Sequence, residues 1–479
     1  MLNQRPLCTI QSSIIAFKMS TYFIEPFVDT GLGNSAYLIG SHETKKGILI
    51  DPLRDVDRYL YAANQFGLQL THVLDTHLHA DFVSGNREIA TQTGAVIGAS
   101  ADAGLGFVYQ ALIDASVIDL GAFQIRVLRT PGHTPEHISF LVLEADAKMP
   151  SALFSGGAII VGGAARTDLM TPELTRPLAS DLYHTIHDKF LKLPDEVNVF
   201  PTHGAGSFCV APASNDRATT IGRERRSNPL AQPQTEEEFI KRSLTGLPNY
   251  PTYYKYMRSI NQRGPRILGG IPVLKSYNAS EVKAFMDDGV VVVDIRHQKA
   301  FGAGHIPDSY GIRLEAPLIV WAGWVIPFGS RILLLGESAD DREEATRQLI
   351  RIGYDDVIGY LEGGIEAWAR EYPVETVRTI DAKELRERLN DVTLVDVRRI
   401  SEWEEGHIPG AIHVEGGRMA WEDLTFISDK PLVIQCASGN RSMIAISVLK
   451  RRGVHNVSQL DGGINKWKLQ GFDVTRDSN

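Results

Sequence analysis

The sequence predicts an α/β protein of three folded units: a mixed α/β domain at the N-terminus, then two copies of a smaller parallel-sheet domain. Three observations carry that expectation. The chain has 479 residues, more than one hydrophobic core usually serves. A self-similar segment recurs in the C-terminal half with a period of about 100 residues, a domain length rather than a solenoid repeat. Each copy alternates short apolar runs with helical patterns, which reads as βα units around a sheet covered on both faces.

Residues 1–20 read as an extension. Its only charges are Arg5 and Lys18, and the apolar stretch Ile14-Ile15-Ala16-Phe17 is too short and weakly flanked for a secretory signal. A weak transit peptide and an extension ahead of an internal start at Met19 are the two readings, and a cytoplasmic protein is the expectation. Residues 21–240 form the first domain, opening on strand-like Ala36-Tyr37-Leu38-Ile39 and Gly47-Ile48-Leu49-Ile50. A connector spans 241–269, interrupted by Pro248 and Pro251 and closed by Pro265.

The two copies occupy 270–375 and 376–479. Val291-Val292-Val293-Asp294-Ile295-Arg296 with Gly304-His305-Ile306-Pro307 recurs as Leu394-Val395-Asp396-Val397-Arg398 with Gly406-His407-Ile408-Pro409. Leu361-Glu362-Gly363-Gly364 through Trp368 recurs as Leu460-Asp461-Gly462-Gly463 through Trp467. Leu432–Gln435 reads as a buried strand and Arg441–Arg451 as a helix.

Composition narrows the function. A net charge of −9 argues against a chain built around nucleic-acid phosphates. No apolar run approaches the roughly 20 residues that cross a bilayer, so no membrane partner is expected. Three cysteines, Cys8, Cys209 and Cys436, cannot form a disulfide framework for this length. They suit a reducing compartment, where a cysteine serves as thiolate more often than as staple.

Thr76-His77-Leu78-His79-Ala80-Asp81 follows the apolar Val73-Leu74. A strand ending in His-x-His-x-Asp delivers two imidazoles and a carboxylate from a rigid edge, a donor set for a first-row transition metal. Pro131-Gly132-His133 and Pro201-Thr202-His203 supply further imidazoles from later loops. This ordered set resembles the metallo-β-lactamase superfamily, and within it the persulfide dioxygenases and glyoxalase-II-like hydrolases. Gly162-Gly163-Ala164-Ala165-Arg166-Thr167-Asp168 is similar to the dioxygenase branch.

That resemblance implies an αββα sandwich with the metal at the sheet edge. It puts His77, His79 and His133 on the first metal site, and Asp81 and His203 where two-metal hydrolases complete a second. Phe82 stands where two-metal members have another histidine, and Gly157 where the family has a metal-binding aspartate. One divalent metal is therefore expected, Fe(II) by preference and Zn(II) as the alternative, with His79, Asp168 or water filling the place of the aspartate. Arg166 is expected among the substrate-binding residues. Cys209 is either a small buried hydrophobe or a thiol that receives or presents sulfur beside the metal.

Cys436-Ala437-Ser438-Gly439-Asn440-Arg441 follows a strand and opens a helix. Backbone N–H groups converge in such a turn, so Gly439 is a substrate-binding candidate. The helix N-terminus favours an anionic nucleophile, and Arg441 offers donors to an oxyanion such as thiosulfate or sulfite. Four residues separate Cys436 from Arg441, one fewer than in cysteine phosphatases. The tighter loop resembles the rhodanese family, whose cysteine carries a persulfide. An offset of 99, taken from Trp368 and Trp467, maps Cys436 onto Glu337 and Arg441 onto Arg342, so the middle copy resembles a rhodanese without its nucleophile.

Together these features imply oxidation of a low-molecular-weight persulfide by O2 to sulfite and thiol, coupled to sulfurtransfer through Cys436. Small thiols, persulfides, thiosulfate and sulfite are the expected partners, and a homo-oligomer is compatible with the sequence. A thioester hydrolase using metal-bound hydroxide, and a sulfurtransferase with a degenerate metal domain, are the alternatives.

Overall fold

The computed structural model describes residues 21–476 apart from 146, 210–213, 316, 426, 428 and 429. The extension 1–20, with Cys8, lies outside the described residues.

Two six-stranded sheets build the N-terminal domain. The first runs in chain order: β1 (Phe23–Asp29), β2 (Asn34–Gly40), β3 (Lys46–Ile50), β4 (Gln69–Leu74), β5 (Val96–Ser100) and β6 (Gln110–Leu112). The second contains β7 (Val117–Asp119), β8 (Phe123–Arg129), β9 (Ile138–Glu144), β10 (Ala152–Gly156), β11 (Asn198–Pro201) and β12 (Thr219–Thr220), also in sequential order. Side chains alternate between faces along each strand. Tyr37, Ile39, Ile48 and Ile50 meet Phe123, Ile125, Val127, Phe140 and Val142 between the sheets. Their neighbours Ala36, Leu38 and Leu49 face outward under Val56, Tyr59, Ala63 and Ile89. On the far side Leu182, Ile186 and Phe190 cover Leu141, Leu143 and Leu153. Burial on both faces is why Ala36–Ile39 reads as an unbroken apolar run. The arrangement is an αββα sandwich.

Each smaller domain is a five-stranded parallel sheet. The middle one contains β13 (Lys275–Tyr277), β14 (Val291–Asp294), β15 (Tyr310–Gly311), β16 (Ile332–Leu335) and β17 (Val357–Leu361), in the order β13-β17-β16-β14-β15. The last contains β18 (Arg378–Ile380), β19 (Thr393–Asp396), β20 (Ile412–His413), β21 (Leu432–Gln435) and β22 (Val457–Leu460), in the equivalent order β18-β22-β21-β19-β20.

The repeat does not keep one register. Asp294 lies opposite Leu335 and Asp396 opposite Gln435, so the strands before the cysteine loop are 100 residues apart. Cys436 therefore corresponds to Gly336, Ala437 to Glu337 and Ser442 to Arg342, which corrects the alignment of Glu337 with Cys436 and of Arg342 with Arg441. The offset falls to 99 later. Pairing along β17 skips from Val357 to Gly359, whereas β22 runs through Val457, Ser458 and Gln459 without a break. That bulge adds one residue to the middle copy. The nucleophile is missing there under either register.

The helix Glu236–Ser243 crosses the boundary expected at residue 240 and buries Phe239 in the N-terminal domain. A second connector helix, Tyr254–Arg263, buries Tyr254, Met257 and Asn261. The middle domain is locked to the first by Arg351, at the end of the helix Ala339–Arg351. Its guanidinium donates from Nη1 to Asp29 (2.6 Å), and from Nε and Nη2 to Asp55 (2.9 and 2.5 Å). Burial alone would raise the Asp55 carboxyl, but Arg351 and Arg58 hold it below its ordinary value.

A depressed carboxylate contributes stability in full above its unfolded value, about 4, and loses it as the pH falls through the lower folded value. Arg351→Met removes the shared cation of two buried carboxylates, leaving Asp55 with Arg58 and Asp29 with the Leu32 N–H, and is expected to cost about 3–5 kcal/mol, read as a shift of the denaturant transition at neutral pH. The penalty should shrink as Asp55 protonates under acid. A shift of under about 1 kcal/mol, the size of a surface pair, contradicts the lock.

Candidate metal centre and cysteine loop

Three loops at the sheet edge bring five imidazoles together. The segment after β4 carries His77 and His79, the turn between β8 and β9 carries His133 and His137, and His203 follows β11. All five are buried. Hydrogen bonds fix the tautomers of three. Thr76 Oγ1 donates to Asp51 Oδ2 (2.8 Å), so the same oxygen accepts from His77 Nδ1 (2.8 Å). His133 Nδ1 donates to the Arg166 carbonyl (2.7 Å). Asn34 spends its amide N–H on Asp81 Oδ2 (2.7 Å), so its Oδ1 accepts from His203 Nδ1 (3.0 Å).

Each imidazole thus carries its proton outward and turns a bare Nε2 inward. The Nε2 atoms of His77 and His203 are 3.3 Å apart, and one ring nitrogen from each of His77, His133 and His203 lies within 4.8 Å of the others. Lone pairs facing at that distance, with no proton between them, repel unless a cation sits there. Burial and the neighbouring imidazoles push His133 and His203 down to about 3 and His77 well below its usual range. Neutral imidazoles with outer-nitrogen partners are the form in which histidine ligates a divalent metal, so the residues present fit one.

Of the expected first set, His77 and His133 share a grouping with His203, while His79 falls in two neighbouring groupings, with Asp81 and His203 and with Asp51 and Asp75. His79 Nε2 lies 3.2 Å from Asp51 Oδ1 and its ring stacks on Phe82. Burial opposes protonation of His79, yet the Asp51 carboxylate raises its pKa. Asp51, absent from the sequence expectation, lies beside His79, whose two ring nitrogens have no hydrogen-bond partner, and through Thr76 it orients His77. His79, Asp81 and His203 form a second grouping, but the single lone pair of His203 already faces His77. Burial raises the Asp81 carboxyl.

Asp168 does not fill the place of the missing carboxylate. It forms a bidentate pair with Arg166, two residues away (2.6 and 2.7 Å). Imidazoles take that space instead. A Cβ on Gly157 would lie 2.5 Å from the His133 ring, and the Gly157 N–H donates to His137 Nε2 (3.1 Å). His137, stacked 5.1 Å from His77, was not anticipated; its only signal is a second histidine four residues after His133.

Arg166 is a tie rather than an open anion receptor. Besides Asp168 it donates from Nη1 to the Phe208 and Pro248 carbonyls (3.1 and 2.7 Å). A cavity of about 460 Å³ lies beside it, lined by Asp168, Thr175, Leu247, Pro248 and Tyr250. Burial pushes the Cys209 thiol well up, which favours the small-hydrophobe reading of that residue.

In the last domain the Gly439 N–H donates to Cys436 Sγ (3.1 Å). Gly439 has φ 110° and caps the helix Asn440–Arg451, and a Cβ there would strike Gln459 Nε2 at 2.4 Å. Gly463 approaches the Cys436 carbonyl so closely that a Cβ would lie 2.0 Å away. The Ile464 N–H then donates to that carbonyl (2.8 Å). Close approach explains the Asp-Gly-Gly motif. Arg441, expected to offer donors to an oxyanion, pairs with Glu402 (2.5 and 2.8 Å).

Comparison with known proteins agrees with this architecture. The model of the metallo-beta-lactamase superfamily matches residues 29–203, and that of the rhodanese-like domain matches 278–371 and 381–470. The mitochondrial persulfide dioxygenase ETHE1 of Homo sapiens is 30% identical over 213 residues, 43% of this chain and 74% of that protein. The chain belongs to the metallo-β-lactamase superfamily. Two rhodanese-like domains follow the superfamily domain. A hydroxyacylglutathione hydrolase of Polaromonas sp. is also 30% identical, over 47% of this chain and 81% of its own length. A solved metallo-beta-lactamase from Staphylococcus aureus superposes with a TM-score of 0.64 at 32% identity, covering 71% of this chain and 99% of that one.

Cobalt titration of the metal-free chain tests the ligand set. His203→Ala is expected to weaken binding more than about 100-fold, as His77→Ala does, and His79→Ala by about tenfold, as an outer partner does. The reverse ranking restores His79 to the first set.

Proposed function

We propose that the N-terminal domain oxidises a low-molecular-weight persulfide such as that of glutathione, and that Cys436 moves sulfane sulfur among thiols, sulfite and thiosulfate. The observation that carries the first half is the convergence of the bare Nε2 atoms of His77, His133 and His203. These three residues would hold one divalent cation, Fe(II) by preference and Zn(II) as the alternative. When bound, iron would supply open coordination positions for sulfur and dioxygen.

The chain's own residues do the rest. Asp51, through Thr76, and Asn34 keep protons off the inner nitrogens. Phe82 stacks on the His79 ring, which lies beside Asp51. The overall reaction balances as RSSH + O2 + H2O giving RSH and sulfurous acid. Similarity to a persulfide dioxygenase supports this reading.

At the other site, the Cys436 thiolate attacks the outer sulfur of thiosulfate, forming a Cys436 persulfide and releasing sulfite. The persulfide then passes its outer sulfur to a thiolate or back to sulfite. With Arg441 held by Glu402, backbone N–H groups of the loop receive the anion. Glu402→Gln is accordingly expected to lower the KM for thiosulfate about two- to fivefold, the worth of an exposed charge pair.

The hydrolase reading has two observations in its favour, the second grouping of His79, Asp81 and His203 and the 30% identity to a hydroxyacylglutathione hydrolase. Oxygen uptake separates the two. The iron-loaded chain should consume one O2 per glutathione persulfide and release sulfite. His77→Ala should abolish uptake and spare sulfurtransfer; Cys436→Ser should do the opposite. Anaerobic cleavage of an acylated glutathione with no oxygen uptake would overturn the dioxygenase reading.

A further inference from the structure

The segment bearing His79 and Asp81 forms neither helix nor full strand, so its peptide groups need partners from elsewhere. The connector and the middle domain supply them. Tyr253 Oη donates to the Asp81 carbonyl (2.6 Å). Asn261 donates from Nδ2 to the His79 and Phe82 carbonyls (2.9 and 2.8 Å) and accepts at Oδ1 from the Ser84 N–H (2.9 Å). The Val83 N–H donates to the carbonyl of Arg351 (2.7 Å), the residue that locks the middle domain in place. A third connector residue, Arg258, pairs with Glu136 (both bonds 2.9 Å), whose Oε1 accepts the Leu78 N–H (3.0 Å). Tyr253 and Asn261 are 1% and 4% exposed, so water cannot replace these bonds.

We infer that Tyr253 and Asn261 are positioning residues of the metal centre, and that the middle domain, which lacks the rhodanese nucleophile, serves the metal chemistry by holding the connector against the ligand loop: its Phe328 stacks on Tyr256 at 4.5 Å and its Gly323 carbonyl accepts from Thr252 Oγ1 (3.4 Å). The route is continuous. Asn261 and Tyr253 fix the backbone of 79–84, which fixes Asp81. Asp81 accepts from Asn34, and Asn34 sets the tautomer of His203. Loosening the clamp frees Asn34 to turn, and the inward lone pair of His203 is lost with it. Asparagine suits the post because one planar amide donates twice and accepts once; neither Asp nor Leu reproduces that.

This rests on the reading of His77, His133 and His203 as ligands, and the test separates the two ideas. The full-length chain loaded with one equivalent of Co(II) is challenged with a chelator, and the release rate and visible cobalt spectrum are recorded. Asn261→Ala is expected to release cobalt at least about tenfold faster with an altered spectrum, the range for outer partners of metal ligands. Tyr253→Phe, which removes only a hydroxyl, is expected to move both in the same direction by a smaller factor.

Gln262→Ala is the control: it breaks a bond of the same kind from the same helix, but to Ala103 (2.9 Å), away from the ligand loop. It should lower the melting temperature and leave the cobalt spectrum and release rate as in the parent. Unchanged release in Asn261→Ala and Tyr253→Phe, with His77→Ala unable to bind cobalt, overturns the clamp and keeps the ligand reading. Equal acceleration by Gln262→Ala also overturns it, as general loosening. Cobalt retained by His77→Ala overturns the ligand reading and the clamp together.

Discussion

Three imidazoles, brought from loops far apart in the sequence, aim unprotonated nitrogens at one another inside a buried pocket. They do so because each outer nitrogen is committed as a donor: to Thr76, to the Arg166 carbonyl and to Asn34. Much of the surrounding structure is the apparatus that keeps those protons outside. Asp51 holds the threonine hydroxyl in the accepting orientation. Asp81 keeps Asn34 from turning over. Removing water from such a site strengthens every electrostatic interaction within it, so the burial that depresses the imidazole pKa values also prepares a strong cation site.

The domains are not independent beads. Arg351 reaches from the middle domain into a pair of buried carboxylates of the first, and the connector between them touches the ligand loop directly. The two rhodanese-like copies have parted company chemically while keeping one topology. A glycine stands at 336 where the last copy has Cys436, and the middle copy spends its surface on contacts. In the last copy the cysteine loop is shaped by glycines at 439 and 463, each in a place where a side chain would collide with its neighbour.

The fold was largely legible. Apolar runs buried on both faces, the duplicated Asp-x-Arg, Gly-His-Ile-Pro and acidic-Gly-Gly segments, and the His-x-His-x-Asp edge each correspond to a physical element. What escaped depended on three-dimensional partners. A single offset read from Trp368 and Trp467 misplaced Cys436 against Glu337, because a one-residue bulge in β17 lies between the loop and the tryptophan. His79 and His77 read alike in the sequence, yet they differ in their surroundings: His77 Nδ1 has Thr76 as its partner, whereas both ring nitrogens of His79 are without one. The pairing of Arg166 with Asp168 and of Arg441 with Glu402 has no signature in the sequence. His137 and Asn261 stand alone in the sequence, with no motif around them, and matter through what they touch.

X-ray absorption on the chain carrying one equivalent of zinc tests the central claim most directly. The account predicts a single cation per chain with three imidazole nitrogens at about 2.0–2.1 Å and no carboxylate from the protein. Two cations per chain, or a first shell containing the Asp81 carboxylate, would contradict it.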